Sequence, residues 1–285
     1  MQIIRSTPEM RAIRQDWRQA GVKVALVPTM GALHAGHLSL VARAQDWLNE
    51  QGGGRIVTSI FVNPTQFGPN EDLDRYPRDE AGDLAKLEAA GCDAVFLPQV
   101  SDIYRPGAQT HVEVSGLGRM LMGRLRPGHF RGVATVVTKL FNIIQPDAAA
   151  FGEKDYQQLT LIRRMVADLD IPVTSLPVPT MREADGLALS SRNQRLTAED
   201  RAAAPVLSLA LDRGAALIAK GAGVAQARRA IRETLRSEPR AEVRSIDIRD
   251  AEDLSRVTDP TRPVVILLAA RFGDVLLIDQ RVAQP

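Results

Sequence analysis

The chain is poor in cysteine, with one, Cys92, among 285 residues. A lone thiol cannot close an internal disulfide, which excludes a disulfide-stapled secreted scaffold. Cys92 follows Gly91 and leads into the apolar run Ala94-Val95-Phe96-Leu97, so it is expected to be a small buried hydrophobe rather than a nucleophile. Aromatic residues are scarce at 4%, and no tract interleaves them with basic side chains, which leaves no platform for stacking bases. Charge of one sign is also lacking: 36 basic against 34 acidic residues give a net charge of +2, too little to draw in nucleic acid. No stretch approaches the ~20 apolar residues of a membrane span, and the opening MQIIRSTPEMRAIRQDW lacks the apolar core of a secretion signal. The expectation is a cytoplasmic protein with neither a membrane nor a nucleic-acid partner.

What is present is ordinary globular material, 45% hydrophobic and 25% charged, long enough for one large or two smaller domains. Its basic residues are mostly arginine, whose planar fork suits phosphates and carboxylates. Strand-like runs at Val22–Val27, Ile56–Val62, Asp93–Leu97, Ala148–Phe151 and Val173–Val178 alternate with helical periodicity at Gly36–Asn49, Asp79–Ala90, Arg131–Ile144 and Asp155–Asp168. In the first of these helices Leu38, Val41, Ala42 and Trp47 are the expected inner positions. This β-then-α order predicts an α/β fold: a Rossmann-like, doubly wound parallel sheet over residues 1–179. After Pro177-Val178-Pro179 the character changes. A polar loop (Arg182–Arg195) precedes two alanine- and arginine-rich helices, Ala198–Ala219 and Val224–Ser237. A strand at Val243–Ile248 and a hairpin around Phe272-Gly273-Asp274 follow, so residues 180–285 are read as a second, smaller α+β domain carrying a closing loop.

The most informative stretch is Pro28–His37, PTMGALHAGH, which follows the first strand of that series and opens a helix. Open α/β sheets bind ligands at this carboxyl edge. Gly31 and Gly36 allow close backbone approach, and the helix N-terminus offers N–H groups and partial positive charge to an anion. His34 and His37, three apart, fall on one side of the first turn and can each donate to a phosphate. Three readings of the pair compete: a metal site, for which His111, His129 and Cys92 supply no clustered third ligand; a structural cap of the turn; and nucleotide binding, which the strand–glycine–helix context favours. Elsewhere, Pro64 ends the second strand and leaves Asn63 and Gln66 at the same sheet edge. Lys154, in Gly152-Glu153-Lys154-Asp155, supplies a point charge between a strand and a helix, and Asp155 suits capping or function equally. Gln157 and Gln158 point about 100° apart, so one of them faces a site. Ser190-Ser191-Arg192 combines hydroxyls with a guanidinium on a loop able to close over a polyphosphate. Residues 68–78 read equally as a lid or a surface loop. Asp72, Asp74 and Asp83 are possible magnesium contacts, and none is assigned.

The histidine segment resembles the His-x-Gly-His signature of the nucleotidyltransferase and class I aminoacyl-tRNA synthetase superfamily. Together with Phe61–Phe67 (FVNPTQF), Arg126–Val133 (RPGHFRGV), Phe151–Leu159 (FGEKDYQQL) and Leu189–Asn193 (LSSRN), it resembles the pantoate–β-alanine ligase family, block by block and in that family's order. The match spans most of the first domain and the linker. The family's usual methionine before the two serines is Leu189 here, a volume-similar swap. The resemblance implies ATP-dependent ligation of pantoate to β-alanine through an acyl adenylate, with Mg²⁺, and a homodimer. It implies that Met30, Gly31, Ala32, Leu33, His34, Ala35, Gly36 and His37 line the nucleotide, together with Gly152, Glu153, Lys154, Asp155, Met181, Leu189, Ser190, Ser191 and Arg192. It further implies that His34, His37, Lys154 and Arg192 act in catalysis, with His37 a possible proton donor; that Gln66 and Gln158 hold pantoate; that Gln66 also meets β-alanine; and that Pro28, Met30 and Phe151 pack on the geminal methyls. The roles of His129 and Arg131 stay open between the site's edge and an interface. Two rival functions remain: a nucleotidyltransferase that moves AMP onto a phosphate-bearing acceptor, and a non-catalytic nucleotide sensor or RNA-binding relic of a synthetase.

Overall fold

The run Val24–Thr29 is buried along nearly its whole length, as a strand covered on both faces must be, and forms β2 inside the first sheet. The computed structural model describes residues 1–69, 71 and 73–285. Six parallel strands, β1 (Gln2–Ile4), β2, β3 (Arg55–Ile60), β4 (Ala94–Phe96), β5 (Ala148–Gly152) and β6 (Thr174–Val178), lie in the order β1-β4-β3-β2-β5-β6. The chain leaves β2 for β3 on one side and later returns to its other side as β5. β2 therefore stands at the point where strand order reverses, the place where open α/β sheets form a ligand crevice. The expected doubly wound sheet is present, with β1 as a short extra edge strand.

The helices of this part are α1 (Thr7–Gln19), α2 (Ala35–Glu50), α3 (Glu80–Ala89), the single turns α4 (Val100–Ile103) and α5 (Met122–Leu125), α6 (His129–Ile144) and α7 (Tyr156–Asp168). α2 buries Leu40, Val41, Ala44, Trp47 and Leu48 against strand residues that include Ala25, Val27, Ile56 and Val95. Val41 and Trp47 point inward as expected. Leu38 is half-buried and Ala42 exposed, because the helix is phased by its buried Leu40–Ala44–Leu48 row. Two compact units are present: Met1–Gly152 with Leu161–Val178, and Glu153–Thr160 with Pro179–Pro285.

The second unit holds α8 (Ala198–Ala203), α9 (Val206–Ile218) and α10 (Val224–Arg236), with an antiparallel sheet β7 (Glu242–Asp250), β8 (Val264–Phe272) and β9 (Val275–Ala283) in that order. The single helix expected over 198–219 is two helices. Pro205 has no N–H to donate and its ring clashes with the preceding turn, so the chain breaks between Ala203 and Val206. The hairpin forms as read: Gly273 takes the positive φ of 54° that a two-residue turn demands. Leu207, Leu211, Ile231 and Leu235 from the helices meet Ile266, Leu268 and Phe272 of the sheet in one core. Among the described residues no helix is long and apolar enough to cross a membrane.

Candidate active site

His34 and His37 cap α2 reciprocally. His34 is the N-cap residue, extended at φ −135° and ψ 176°, and its Nδ1 accepts from the Gly36 amide at 3.2 Å. His37 Nδ1 accepts from the His34 amide at 3.3 Å. Two imidazoles thus take the place of the Ser and Glu of a Ser-x-x-Glu capping box. The rings lie 4.2 Å apart at 45°, on the one side that their spacing predicts. Because each Nδ1 accepts, the ring proton of each neutral imidazole sits on Nε2. The capping and ligand-binding readings are therefore compatible: one nitrogen serves the helix and the other carries a proton to donate. Among the described residues no three His, Cys, Asp or Glu side chains come together as a metal site.

The turn before His34 is unusual. Gly31 has φ +83° and Ala32 φ +52°, two consecutive left-handed residues of which only one is glycine. Thr29 Oγ1 donates to Ser59 O at 2.8 Å and receives the Gly31 amide at 3.3 Å. The Ala32 and Leu33 amides donate to Asp83 Oδ2 and Oδ1 at 2.8 and 2.7 Å. Asp83, on α3, is 1% exposed. Considered from sequence as a possible magnesium contact, it uses both oxygens on backbone N–H groups. Of the other two acids in that set, Asp74 is exposed, and Asp72 lies outside the described residues, as does Asn70.

The chain after β3 turns through a short 3₁₀ segment, Pro64–Gln66, capped by Asn63. Asn63 is 1% exposed and fully occupied. Its Oδ1 accepts from Tyr104 Oη at 2.8 Å and from Thr65 Oγ1 at 2.9 Å. Its Nδ2 donates to Gln66 Oε1 at 3.1 Å and Gly132 O at 3.2 Å. The Gln66 amide is thereby oriented, with oxygen toward Asn63 and Nε2 toward Met30 Sδ at 3.1 Å. It offers a donor to whatever lies in the crevice. His129, left open by the sequence, fastens the same turn: its Nδ1 meets Gln66 O at 2.8 Å while Arg126 donates to its Nε2 at 3.2 Å. Arg126 also forks onto Glu71 of the 68–78 segment. Burial works to raise the Glu71 carboxyl, but the hydrogen bonds and charge of Arg126 prevail and hold it below the ordinary glutamate range. Arg131 is exposed.

Gly152 ends β5, and Glu153–Asp155 form a 3₁₀ turn before α7. Lys154 Nζ lies 4.0 Å from Asp155 Oδ2. Gln157 is buried and Gln158 half-buried, so Gln158 is the glutamine of the pair with a face to offer. The polar loop of the second unit is a built element. Arg182 and Ala188 bridge as a small antiparallel pair, and Leu189 N donates to Met181 O at 2.9 Å, with Met181 exposed. Arg182 forks onto the buried Asp279 at 2.7 and 2.9 Å, and Arg201 holds Asp185 and Glu183 at 2.6 and 2.7 Å. Ser190 then caps a 3₁₀ segment, Ser191–Arg195, by accepting the Arg192 amide at 3.3 Å. Cys92 is buried beside Thr58 Oγ1 at 3.3 Å, and burial pushes its thiol above the ordinary value despite that hydrogen bond. It is the inert hydrophobe expected of it.

Sequence reasoning left Tyr104 without a role and Asp83 unassigned, and it gave Arg126 and Gly132 only as members of a family block. Each contacts one of the turns after β2 and β3 from far away in the chain, and no local pattern marks such a contact.

A family model described as pantoate–β-alanine ligase matches residues 2–282. The pantothenate synthetase of Bartonella henselae is 49% identical over 286 residues, covering 100% of this chain and 99% of that one. The pantothenate synthetase of Herpetosiphon aurantiacus is 51% identical over 284 residues, covering 99% and 100%. Among solved structures, the pantothenate synthetase of Thermus thermophilus superposes with a TM-score of 0.93 at 45% identity, covering 100% of both chains. The Francisella tularensis pantoate–β-alanine ligase, solved with β,γ-ATP and β-alanine, has a TM-score of 0.80 at 33% identity, covering 99% and 97%. With a family match along nearly the whole chain and relatives at half identity from end to end, this chain belongs to the pantoate–β-alanine ligase family.

Proposed function

We infer that the chain condenses pantoate with β-alanine at the expense of ATP, giving pantothenate, AMP and pyrophosphate. The observation that carries this reading is the reciprocal His34–His37 cap at the carboxyl end of β2, in which each Nδ1 accepts a backbone amide. A carboxylate oxygen of pantoate attacks the α-phosphorus of ATP, the bond to the β-phosphate breaks, and pyrophosphate leaves. The amine of β-alanine then attacks the acyl carbon of the pantoyl adenylate, AMP departs, and the amine gives up a proton. No enzyme nucleophile takes part, so the protein contributes positioning and charge stabilisation.

Within that reaction Met30–His37, Gly152–Asp155, Met181 and Leu189–Arg192 are the proposed nucleotide contacts, and His34, His37, Lys154 and Arg192 stabilise the developing charge. Gln66 and Gln158 hold pantoate, Gln66 also meeting β-alanine. The donor orientation of Gln66 supports this, since a carboxylate or hydroxyl oxygen accepts what its Nε2 offers. Mg²⁺ is proposed to arrive on the ATP phosphates, which is how this ion is commonly bound. A cytoplasmic homodimer is the proposed state.

The test is a coupled assay with ATP, pantoate and β-alanine, each omitted in turn. Pyrophosphate release should require ATP and pantoate alone, and AMP release should require β-alanine as well. AMP release without β-alanine dependence, or nucleotide binding without turnover, would overturn the reading.

A further inference from the structure

We propose that Asp83 is a positioning residue for adenylate formation: its carboxylate holds the Gly31–Leu33 turn in the left-handed conformation that delivers the His34–His37 pair to the crevice. The inference rests on the reading of that pair as the ATP-facing group.

The turn does not hold itself. A side chain in the left-handed region brings its Cβ against the backbone, and Ala32 sits there at φ +52° directly after Gly31 at +83°. Such a pair of residues points successive N–H groups to one side, and an anion in the concavity collects them. Asp83 supplies that anion from α3, one oxygen to the Ala32 amide and one to the Leu33 amide. The carboxylate is 1% exposed, with the Lys86 ammonium 3.7 Å from Oδ1. A charge so buried is tolerated because its hydrogen bonds are made, and the turn is fixed by the same bonds. The packing agrees: a Cβ at position 31 would meet Asp83 Oδ2 at 3.1 Å and Ile60 Cγ2 at 3.2 Å. The glycine of the motif thus makes room for a carboxylate whose bond to the neighbouring Ala32 amide spans 51 residues of chain. Leu33 is buried and His34 follows at once as the cap of α2, so rotation of the turn rotates both imidazoles.

Asp83→Asn keeps the shape but leaves one oxygen for two amides and sets an NH₂ group against the other. In single-turnover pyrophosphate release from ATP and pantoate, the maximal rate should fall about ten- to hundredfold, the scale of a small misplacement of catalytic groups. The chain has four histidines, so its imidazole ¹H–¹⁵N spectrum is sparse. The His34 and His37 signals should move in the variant while those of His111 and His129 stay. Glu88→Ala, which removes an exposed carboxylate near the far end of α3 (its side chain is 70% exposed) without touching the turn, should leave the rate and the imidazole signals as they are. Ala32→Gly removes the left-handed cost of the turn, so Asp83→Asn combined with Ala32→Gly should recover much of the lost rate. If Asp83→Asn alone fails to fold, the comparison is made in the Ala32→Gly background. A folded Asp83→Asn protein with the wild-type rate would overturn the proposal. So would a rate loss that comes with unmoved His34 and His37 signals and no rescue, which would mean that Asp83 acts on the substrate directly. Wild-type protein that releases no pyrophosphate would sink the functional reading instead, and the imidazole spectrum would still test the turn.

Discussion

His37 has one structural job and one proposed job on its two nitrogens, and a substitution can separate them. Nδ1 accepts the His34 amide at the head of α2, and the proton on Nε2 is the one proposed to meet the phosphates. His37→Ala loses both. Loss of a cap costs about 1 kcal/mol, whereas loss of a donor aimed at developing charge costs on the order of a hundredfold or more in rate. His37→Glu restores the cap, since glutamate at this helix position is the usual partner in a capping box, but it sets an anion where the phosphates should lie. Thermal stability should therefore return in His37→Glu while single-turnover pyrophosphate release stays depressed. Recovery of the rate together with stability would reduce His37 to a helix cap. At this scale the sequence is generous where a residue's role depends on its neighbours: strand, glycine, histidine and helix adjoin in PTMGALHAGH, and the histidine pair reads directly. The contact Asp83 makes is silent in the sequence, where the residue reads only as a magnesium candidate, because its partners are backbone amides 50 and 51 residues away, brought to it by the fold.

At the scale of elements, a close approach between α6 and the Pro64–Gln66 turn sets the position of Gln66. A Cβ at Gly132 would stand 2.4 Å from Thr65 O and 2.7 Å from the Gln66 amide nitrogen, both backbone atoms with no side-chain freedom to yield. The Gly132 carbonyl also receives Asn63 Nδ2 at 3.2 Å, so the helix touches the turn and orients its capping residue at one point. Gly132→Ala must push the two elements apart. The expected cost in stability is about 1–3 kcal/mol, as for other overpacked sites. The pantoate KM should rise on the order of tenfold, the equivalent of one hydrogen bond to a charged group, while the ATP KM changes little. Chemical denaturation and separate KM measurements check this, and equal losses for both substrates would mean a general folding defect. In the unit of the parallel sheet, the elements with strong periodicity were legible in the sequence to within a residue or two. β1, three residues long, and α1, whose buried face is Thr7, Met10 and Arg14, carry too little apolar pattern to be read. The buried Arg14 makes sense only with Gln145 O and Asp147, which reach it from the far side of the unit's sequence. The break at Pro205 follows from proline chemistry, but the alanine-rich periodicity on both sides masks it and reads as one helix.

For the whole molecule, what matters is how nearly its charges balance. The 36 basic and 34 acidic residues nearly cancel, and many arginines are already committed to carboxylates, among them Arg126 to Glu71, Arg182 to Asp279, Arg201 to Glu183 and Asp185, and Arg240 to Asp200. A guanidinium so engaged neutralises its partner rather than a phosphate backbone. The fold alone does not separate a ligase from an RNA-binding relative of the synthetases, because a doubly wound sheet hosts both. The balance of charge favours the ligase. Affinity for a nucleic-acid backbone comes from counterions released by unpaired basic groups, and non-specific binding typically lies between about 10⁻⁴ and 10⁻⁶ M at physiological salt. A chain with this balance belongs at the weak end. A labelled single-stranded RNA titrated at about 150 mM salt should therefore bind with an apparent Kd weaker than about 10 µM, and the binding should not compete with ATP. An affinity well tighter than that, falling steeply as salt rises and displaced by ATP, would place RNA on the same residues and return the synthetase-relic reading to the front.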